Sequence, residues 1–506
     1  MNPDRLPVIV GVGEITQRSK DPSESQEPLA LMESALRAAE QDAGTALLQS
    51  IDALDVVCEH SWPYADAPRL LAARLGARPA HAVYATAGGE SPVRLIHEAA
   101  LRIARGEATV AAIAGAEANY TVAAAAKAGI TLPWTPRDPQ ARLLRGADIC
   151  HPLAVRHGVH APTHVYPFYE NAALAAWGQT PAEAHEESAQ LWSRLSKVAQ
   201  HNPHAWLRQR FGPGEVGTPD ERNRLIAWPY TLRMVANPLV NMGAAVLLTS
   251  LGHARRLRIP AQRLAHVWGG AAAQEPRDYL ARDGYARSHA QDAVLEAARA
   301  LAGDAGFALT ELYSCFPIVP KMARRTLGLG PDAALSSTGG LSFFGAPLNN
   351  YMTHAAAALV HALRKGAHAA GGVALLYGQG EFVTKHHALV LSSTPPASAL
   401  AEDYGVQAEA DLHRGTVPEI VADHAGAAQL ETHTVVYGRD GAASFGVVIA
   451  RTPEGRRLMA RVDPADEQTL ATLTDAARSP VGRSGEVTRG PATDAGPGLL
   501  HWKTHA

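Results

Sequence analysis

The sequence predicts a layered α/β protein made of two similar halves, with a helical insertion in the first half and a small β-rich domain at the C-terminus. Three observations carry this reading. Short apolar runs alternate with amphipathic helical segments from Val8 onward. Two helix–turn–strand segments recur in the same order about 260 residues apart. After about Pro396 the alternation gives way to β-rich runs separated by glycine-containing turns.

Taken in order, Val8 to Val12 is an apolar strand that enters a Gly-rich turn. Glu27 to Ala43 has helical periodicity, Ile51 to Val57 reads as the next strand, and Leu70 to Leu75 as a further helix. The stretch YATAGGESPVRLIHEAALRIARGEATVAAIAGAEAN (Tyr84 to Asn119) follows. Its helix runs from Pro92 to Arg105, with Ser91 expected as the cap and Gly106 as the stop. Val93, Ile96, Ala99, Ala100 and Ile103 form an apolar stripe, and Ala and Gly spread over the other faces. A helix so rich in small residues is expected at the centre of the fold, beside the buried strand Val110 to Ala114. From about 118 to 242 Pro, Trp, His and Arg become frequent, which marks an insertion with few helices, such as Ala182 to His201. Ala244 to Leu251 then reads as a buried strand or helix.

The second half repeats the first. Ala293 to Cys315 echoes Glu33 to Cys58, and Thr353 to Glu381 echoes the central stretch. Duplicated halves place equivalent helices across a pseudo-twofold axis, with a site in the crevice between them. The expected bounds are 1–262 for the first half, 263–395 for the second and 410–506 for the β-rich domain. Thr434 to Tyr437, Ser444 to Ala450 and Arg456 to Val462 are its strand-like runs, which suit a small barrel or meander.

Composition limits the classes of function. With 506 residues, 46% apolar and 19% charged, the chain is ordinary globular protein, and a net charge of −3 gives no reason to expect nucleic acid. Cys58, Cys150 and Cys315 have neither metal-ligand spacing nor even pairing, which suits a reducing compartment and no metal site. No apolar run reaches membrane-spanning length, and the N-terminus has no secretory pattern, so a cytoplasmic protein is expected.

Four motifs, ARGEATVAAIAGAEA, CFPIVP, SSTGGLSFFGAP and VALLYGQGE, occur in that order. With them the chain resembles the thiolase superfamily over residues 5 to 395, nearest the sterol-carrier-protein-type thiolases. The tail looks like the additional C-terminal domain of type 1 thiolase-like proteins, expected to be OB-like. The resemblance implies a five-layer α/β/α/β/α fold and a protein of the acyltransferase (acetyl-CoA acetyltransferase-like) class in lipid metabolism. Coenzyme A or an acyl-CoA would be substrate or ligand, with no covalently bound cofactor.

The catalytic positions of the family align with unusual residues. The C-x-S nucleophile motif, which places a thiolate at a helix N-terminus, matches Gly89-Glu90-Ser91. The H-D-C-F motif matches Tyr313-Ser314-Cys315-Phe316. The G-H-P motif, whose histidine helps form an oxyanion hole, matches Gly345-Ala346-Pro347, and the second cysteine matches Tyr377. The resemblance therefore argues against thiolysis through an acyl-cysteine. Steroid side-chain aldolases of the superfamily also lack the cysteine; they cleave β-hydroxyacyl-CoA esters, use tyrosines and have an OB-fold partner.

The candidate catalytic residues are accordingly Tyr313, Tyr377, His354 and Cys315, with Gly89 and Ala346 at the departed positions. Tyr313 and Tyr377 are expected to face one crevice, as acid and base or as space-filling residues. Tyr351, Lys385 and His386 lie close in sequence. His354 faces the crevice or is a core histidine, and Cys315 is a packing residue or a nucleophile. The insertion would supply the coenzyme A pocket. Candidate ligand contacts are Ser91, Asn237, Gly243 and Ala244, with Arg208 and Arg210 (alongside Arg137 to Arg145) for the phosphates. Met242 stands where the family usually has Asp. A retro-aldol lyase and a non-catalytic acyl-CoA binder or scaffold remain as alternatives, with a monomer or homodimer and a possible protein partner at the C-terminal domain.

Overall fold

The computed structural model describes residues 2–19, 21–365, 372–491 and 498–505. The strands of the first half are β1 (Pro7–Thr16), β2 (Ala53–Val56), β3 (His81–Tyr84) and β4 (Val110–Ala118). The insertion adds the short hairpin β5 (Leu225–Ala227) and β6 (Tyr230–Thr231), and β7 (Asn241–Ser250) completes the half. The second half has β8 (Ala265–Gln274), β9 (Leu309–Leu312), β10 (Val373–Gly380) and β11 (Lys385–Ser392).

These strands join in the order β3-β2-β4-β7-β1-β8-β11-β10-β9. The seam is narrow: β1 meets β8 only through Val8 with His266 and Ile9 with Ala265. Outward from the seam each half follows the same plan, two antiparallel steps and then a parallel one. The first half runs β1, β7, β4, β2 and the second runs β8, β11, β10, β9. The duplication expected from the repeated segments is thus present in the topology. On the first side, β3 adds an outer strand.

The two matched helices, Ser91–Arg105 and Tyr351–Arg364, pack on each other and touch strands of both halves. The helix Pro28–Ala43 covers β1, β4 and β7 from outside, and His289–Ala302 covers β8, β10 and β11. Helix, sheet, helix pair, sheet and helix make the five layers. Burial on all sides explains the composition of the central pair: Val93, Ile96, Ala99 and Ala100 are buried in one, Ala355, Ala356 and Ala357 in the other. Small side chains bring the helix axes and the sheets close together. Gly106 ends the first helix at φ 78°, a left-handed conformation that glycine adopts without strain.

Local expectations differ in two places. Ser91 does not cap its helix. It is the first helical residue, Glu90 holds the cap position without a side-chain bond to the helix, and Ser91 Oγ donates instead to the Thr86 carbonyl at 3.0 Å. Of Ala244 to Leu251, open between strand and helix, the residues up to Ser250 belong to β7, which pairs with both β1 and β4, and Leu251 starts the short helix Leu251–Arg256.

The C-terminal strands β12 (Gly426–Tyr437), β13 (Ala443–Arg451), β14 (Arg457–Val462), β15 (Ser484–Arg489) and β16 (Leu500–Thr504) close on themselves. Pairings run β12-β13-β14-β16-β15 and back to β12, with the helix Glu467–Leu473 between β14 and β15. This is a five-stranded closed barrel in OB-type order. Leu430, Val448, Leu458, Val462, Val487 and Trp502 fill it. Its outer face on β13 and β14 is covered: Val447, Ile449 and Met459 join the core of the body, and Arg461 lies over Phe445 and donates to the His157 carbonyl at 2.7 Å. The body answers with the helix Pro162–Ala176, whose Asn171 donates to His433 O at 3.0 Å. A further tie is the pairing of Val436 in β12 with Ala227 in β5.

Candidate active site

A cavity of about 380 Å³ opens where the two halves, the insertion and the start of the central helix meet. Ala87 to Gly89 form one edge, and Tyr313, Cys315 and Phe316 follow β9 into it. Gln379 to Phe382 end β10 there, and Ala346 and Asn349 come from the loop before the second central helix. The insertion closes it with Pro162, Thr163, Tyr166, Val235 and Ala236 among others. Most of the lining is apolar, so polar groups that reach it act in a medium of reduced dielectric.

At Gly89 the space is taken. A Cβ built there would run into the Gln379 carbonyl oxygen and lie 2.5 Å from the Tyr313 hydroxyl and 2.8 Å from Tyr313 Cζ. Tyr313, 7% exposed, thus puts its hydroxyl where a side chain at position 89 would begin. Burial pushes its phenol well above the usual value, with Cys315 and Glu90 adding to the rise, so it stays protonated and acts as a donor. The loop itself is pinned by Asn349, which accepts from Gly88 N at 3.0 Å and donates to Cys58 O at 2.8 Å.

Cys315 lies in the cavity wall as a thiol. Burial pushes it up to about 12, against the hydrogen bonds from Tyr166 and Gln379. Gln379 Nε2 donates to Cys315 Sγ at 3.4 Å and to the Tyr166 hydroxyl at 2.7 Å, and the Tyr166 hydroxyl donates to the Glu381 carbonyl at 2.8 Å. Tyr166 stacks on Phe316 with 4.3 Å between centroids. Glu381 reaches the rim, where burial would raise its carboxyl but Arg277 at 2.6 Å and Lys385 at 3.1 Å hold it below the ordinary value. Lys385 also donates to Ala87 O at 3.1 Å and so fastens the 87–89 loop to the end of β10. Ala346 lines the opposite wall, its amide bonded to Asn237 O at 2.9 Å.

Other residues expected at the site lie elsewhere. Tyr313 and Tyr377 do not share the crevice: Tyr377 is buried under the His289–Ala302 helix, accepts from Gln291 Nε2 at 2.8 Å and shares a hydrogen bond with His386 Nδ1 at 2.7 Å. His354 is wholly buried between the halves, where its Nδ1 meets Glu14 Oε1 at 2.9 Å and Phe344 packs edge-on. It is the core alternative, not the crevice one. Gly243 faces away from the cavity, since a Cβ there would meet Leu31 of the outer helix, and Ala244 is interior to the sheet beside it. Ser91 is buried behind the loop. Asn237 shapes the wall through its backbone, between the lining residues Ala236 and Pro238. Arg208 and Arg210 are exposed on a strap whose Trp206 and Leu207 amides donate to Phe344 O and Phe343 O at 2.7 and 2.8 Å. Of the basic run in the insertion, Arg145 reaches the cavity rim, whereas Arg137 lies over the Trp62 ring at 4.8 Å.

Sequence reading overlooked Glu90, Gln379, Tyr166 and Asn349. Glu90 and Gln379 stand inside the quoted motifs, so the signal was an acidic and an amide residue in otherwise small or apolar surroundings. Tyr166 and Asn349 come together with them only through the fold. Among the described residues no group of three or more His, Cys, Asp or Glu is placed to hold a metal ion.

A duplicated five-layer body with its cavity at the mouth of the central helix defines a thiolase-like protein. Residues 406–490 match the family described as thiolase-like protein type 1 additional C-terminal domain. The whole chain matches the whole of a crystal structure of a monomeric SCP2-thiolase like protein type 1 from Mycobacterium smegmatis, at 29% identity and a TM-score of 0.82. The chain is therefore of the thiolase-like type 1 form with the additional C-terminal domain. Two further structures match about three quarters of the chain. The Ltp2-ChsH2(DUF35) aldolase has 18% identity and a TM-score of 0.57, over 77% of this chain and 98% of that one. Human mitochondrial 3-ketoacyl-CoA thiolase has 16% identity and a TM-score of 0.55, over 77% of this chain and all of that one. No curated protein matches the chain. Among the described residues no helix is long and apolar enough to cross a membrane.

Proposed function

We propose that the protein binds an acyl-CoA thioester in this cavity and handles it without an acyl-cysteine, so that it belongs to the acyltransferase class in ancestry but does not perform ordinary thiolysis. One observation carries the reading: position 89 is glycine, and the Tyr313 hydroxyl and the Gln379 carbonyl occupy the space of a side chain there. Cys315 does not substitute, because a thiol held near 12 contributes almost no thiolate at neutral pH. The rim cation Arg145 suits a phosphate of the nucleotide, and the apolar walls suit an acyl chain and a pantetheine arm. The test is calorimetric titration with acetyl-CoA and longer acyl-CoA esters beside an acetoacetyl-CoA thiolysis assay. Saturable binding with thiolysis at background supports the reading, and thiolysis well above background overturns it.

A second reading is favoured by Tyr313. A neutral phenol at the cavity wall is suited to donate to a thioester enolate, as retro-aldol cleavage of a β-hydroxyacyl-CoA requires. Under it Tyr377 has no catalytic part, being bonded away from the cavity. Cleavage of a 3-hydroxyacyl-CoA that Tyr313→Phe abolishes would select the lyase. Binding without turnover would select an acyl-CoA binder or scaffold.

A further inference from the structure

The cavity wall carries an imidazole that the fold itself does not use. His60, on the loop after β2, lines the cavity together with Ala87, Gly88, Gly89 and Asn349. Its ring is half-buried, and among the described residues neither ring nitrogen has a hydrogen-bond partner.

The backbone beneath the ring is held from two sides. Glu117, near the end of β4 and 1% exposed, accepts from His60 N with Oε1 and from Ser61 N with Oε2, both at 2.8 Å. Ser61 Oγ accepts in turn from Ala118 N at 2.9 Å. Two residues before His60, Asn349 donates to Cys58 O while it accepts from Gly88 N. One side-chain amide therefore fixes the His60 loop against the loop that carries Gly89. A buried carboxyl and a buried amide hold the main chain in place, and the imidazole is left for the ligand space.

We propose that His60 is a binding residue of this cavity: it hydrogen-bonds an oxygen carried on the acyl chain near the thioester, a hydroxyl or a keto group, and so selects oxygenated acyl thioesters over saturated ones. The proposal rests on the thioester-binding reading given above. Burial lowers the imidazole below its ordinary value, and no charged group contributes. At neutral pH the ring is neutral, with one nitrogen donating and the other accepting. A saturated chain in this apolar cavity would strip water from the ring and return no hydrogen bond, which is unfavourable. A chain with an oxygen at that point meets the donor nitrogen or the acceptor one.

Calorimetric titration with butyryl-CoA, 3-hydroxybutyryl-CoA and acetoacetyl-CoA, and ring-nitrogen NMR of the wild type, test this together. The 3-hydroxy ester tests a donor to the ring, and the 3-keto ester an acceptor from it. The wild type should bind one or both oxygenated esters about 10-fold more tightly than butyryl-CoA. His60→Phe, which keeps an aromatic ring, should lose most of that preference while it holds butyryl-CoA within about 3-fold of wild type, and His60→Gln should recover part of the preference. The His60 ring nitrogens, assigned by their loss in His60→Gln, should shift when the preferred ester is added to the wild type. A wild type that binds all three esters equally, an undiminished preference in His60→Phe, a loss of all three esters alike in that variant, or ring nitrogens that ignore the ligand overturns the proposal. A wild type that binds none of the three esters overturns the thioester-binding reading beneath it.

Discussion

At Gly89 the missing side chain and the filled space are two parts of one arrangement. Restoring a cysteine there should therefore not restore a thiolase. Gly89→Cys is expected to lose about 1–3 kcal/mol of stability by overpacking against Tyr313 and the Gln379 carbonyl, with acetoacetyl-CoA thiolysis still at background. Chemical denaturation and a thiolysis assay check both parts. The two tyrosines should separate in the opposite sense. Tyr377→Phe leaves Gln291 and His386 short of a buried partner and should cost about 1–3 kcal/mol while acyl-CoA binding is unchanged. If Tyr377→Phe abolishes ligand binding at full stability, the assignment of the cavity is wrong. At this scale the sequence showed which positions depart from the family motifs, because those are substitutions in quoted words. It did not show where Tyr377 or His354 point. A strand or helix position fixes a face, but the partner waiting on that face, Gln291 or Glu14, comes from another segment.

At the scale of elements, the central helices were legible because burial on every side leaves a mark in composition. The Ser91–Arg105 helix carries its own punctuation, Pro92 near its start and Gly106 at its stop. Its cap was misread because Ser is a common cap residue, yet here the chain enters the helix one residue earlier, at Glu90. The insertion was legible only as a change of texture. Its anchor, Lys321 buried against Glu170, joins the second half to the Pro162–Ala176 helix. Lys321 also donates to Ala184 O at 3.2 Å and Ser188 Oγ at 3.0 Å, while Tyr230 donates to the other Glu170 oxygen at 2.7 Å. Removing one member strands the other charge, so Lys321→Ala should cost about 3–5 kcal/mol in urea denaturation. A loss below 1 kcal/mol would mean that the pair does not hold the insertion.

At the scale of the molecule, the barrel is fused to the body and not merely tethered to it. The β13–β14 face, on which OB-type barrels bind ligands, is covered by the body through Val447, Ile449, Met459 and Arg461. One cooperative calorimetric transition for the whole chain is expected, and two separate transitions would contradict that coupling. Buried carboxyls give the molecule a second global property. Glu59 is pushed up to about 8 and Glu117 to about 7, both by burial first. An acid whose folded value lies above its unfolded one is more protonated when folded, so it costs stability as pH rises from the unfolded value through the folded one. Measured against Glu59→Gln, the wild type should lose relative stability between pH 5 and pH 8. A difference that is flat, or that grows the other way, refutes the assignment. The duplication was readable in advance because it repeats whole helix–turn–strand words; the closure of the barrel depends on β15 and β16, whose sequences carry little strand signal.

The central claim is that this cavity holds an acyl thioester and never transfers the acyl group to the chain. Equilibrium dialysis with acyl-labelled acetyl-CoA, followed by acid denaturation of the protein-bound fraction, tests it in one measurement. The account predicts saturable label on the native protein that is released completely on denaturation. Label that stays with the denatured polypeptide, or that never binds the native one, would contradict it.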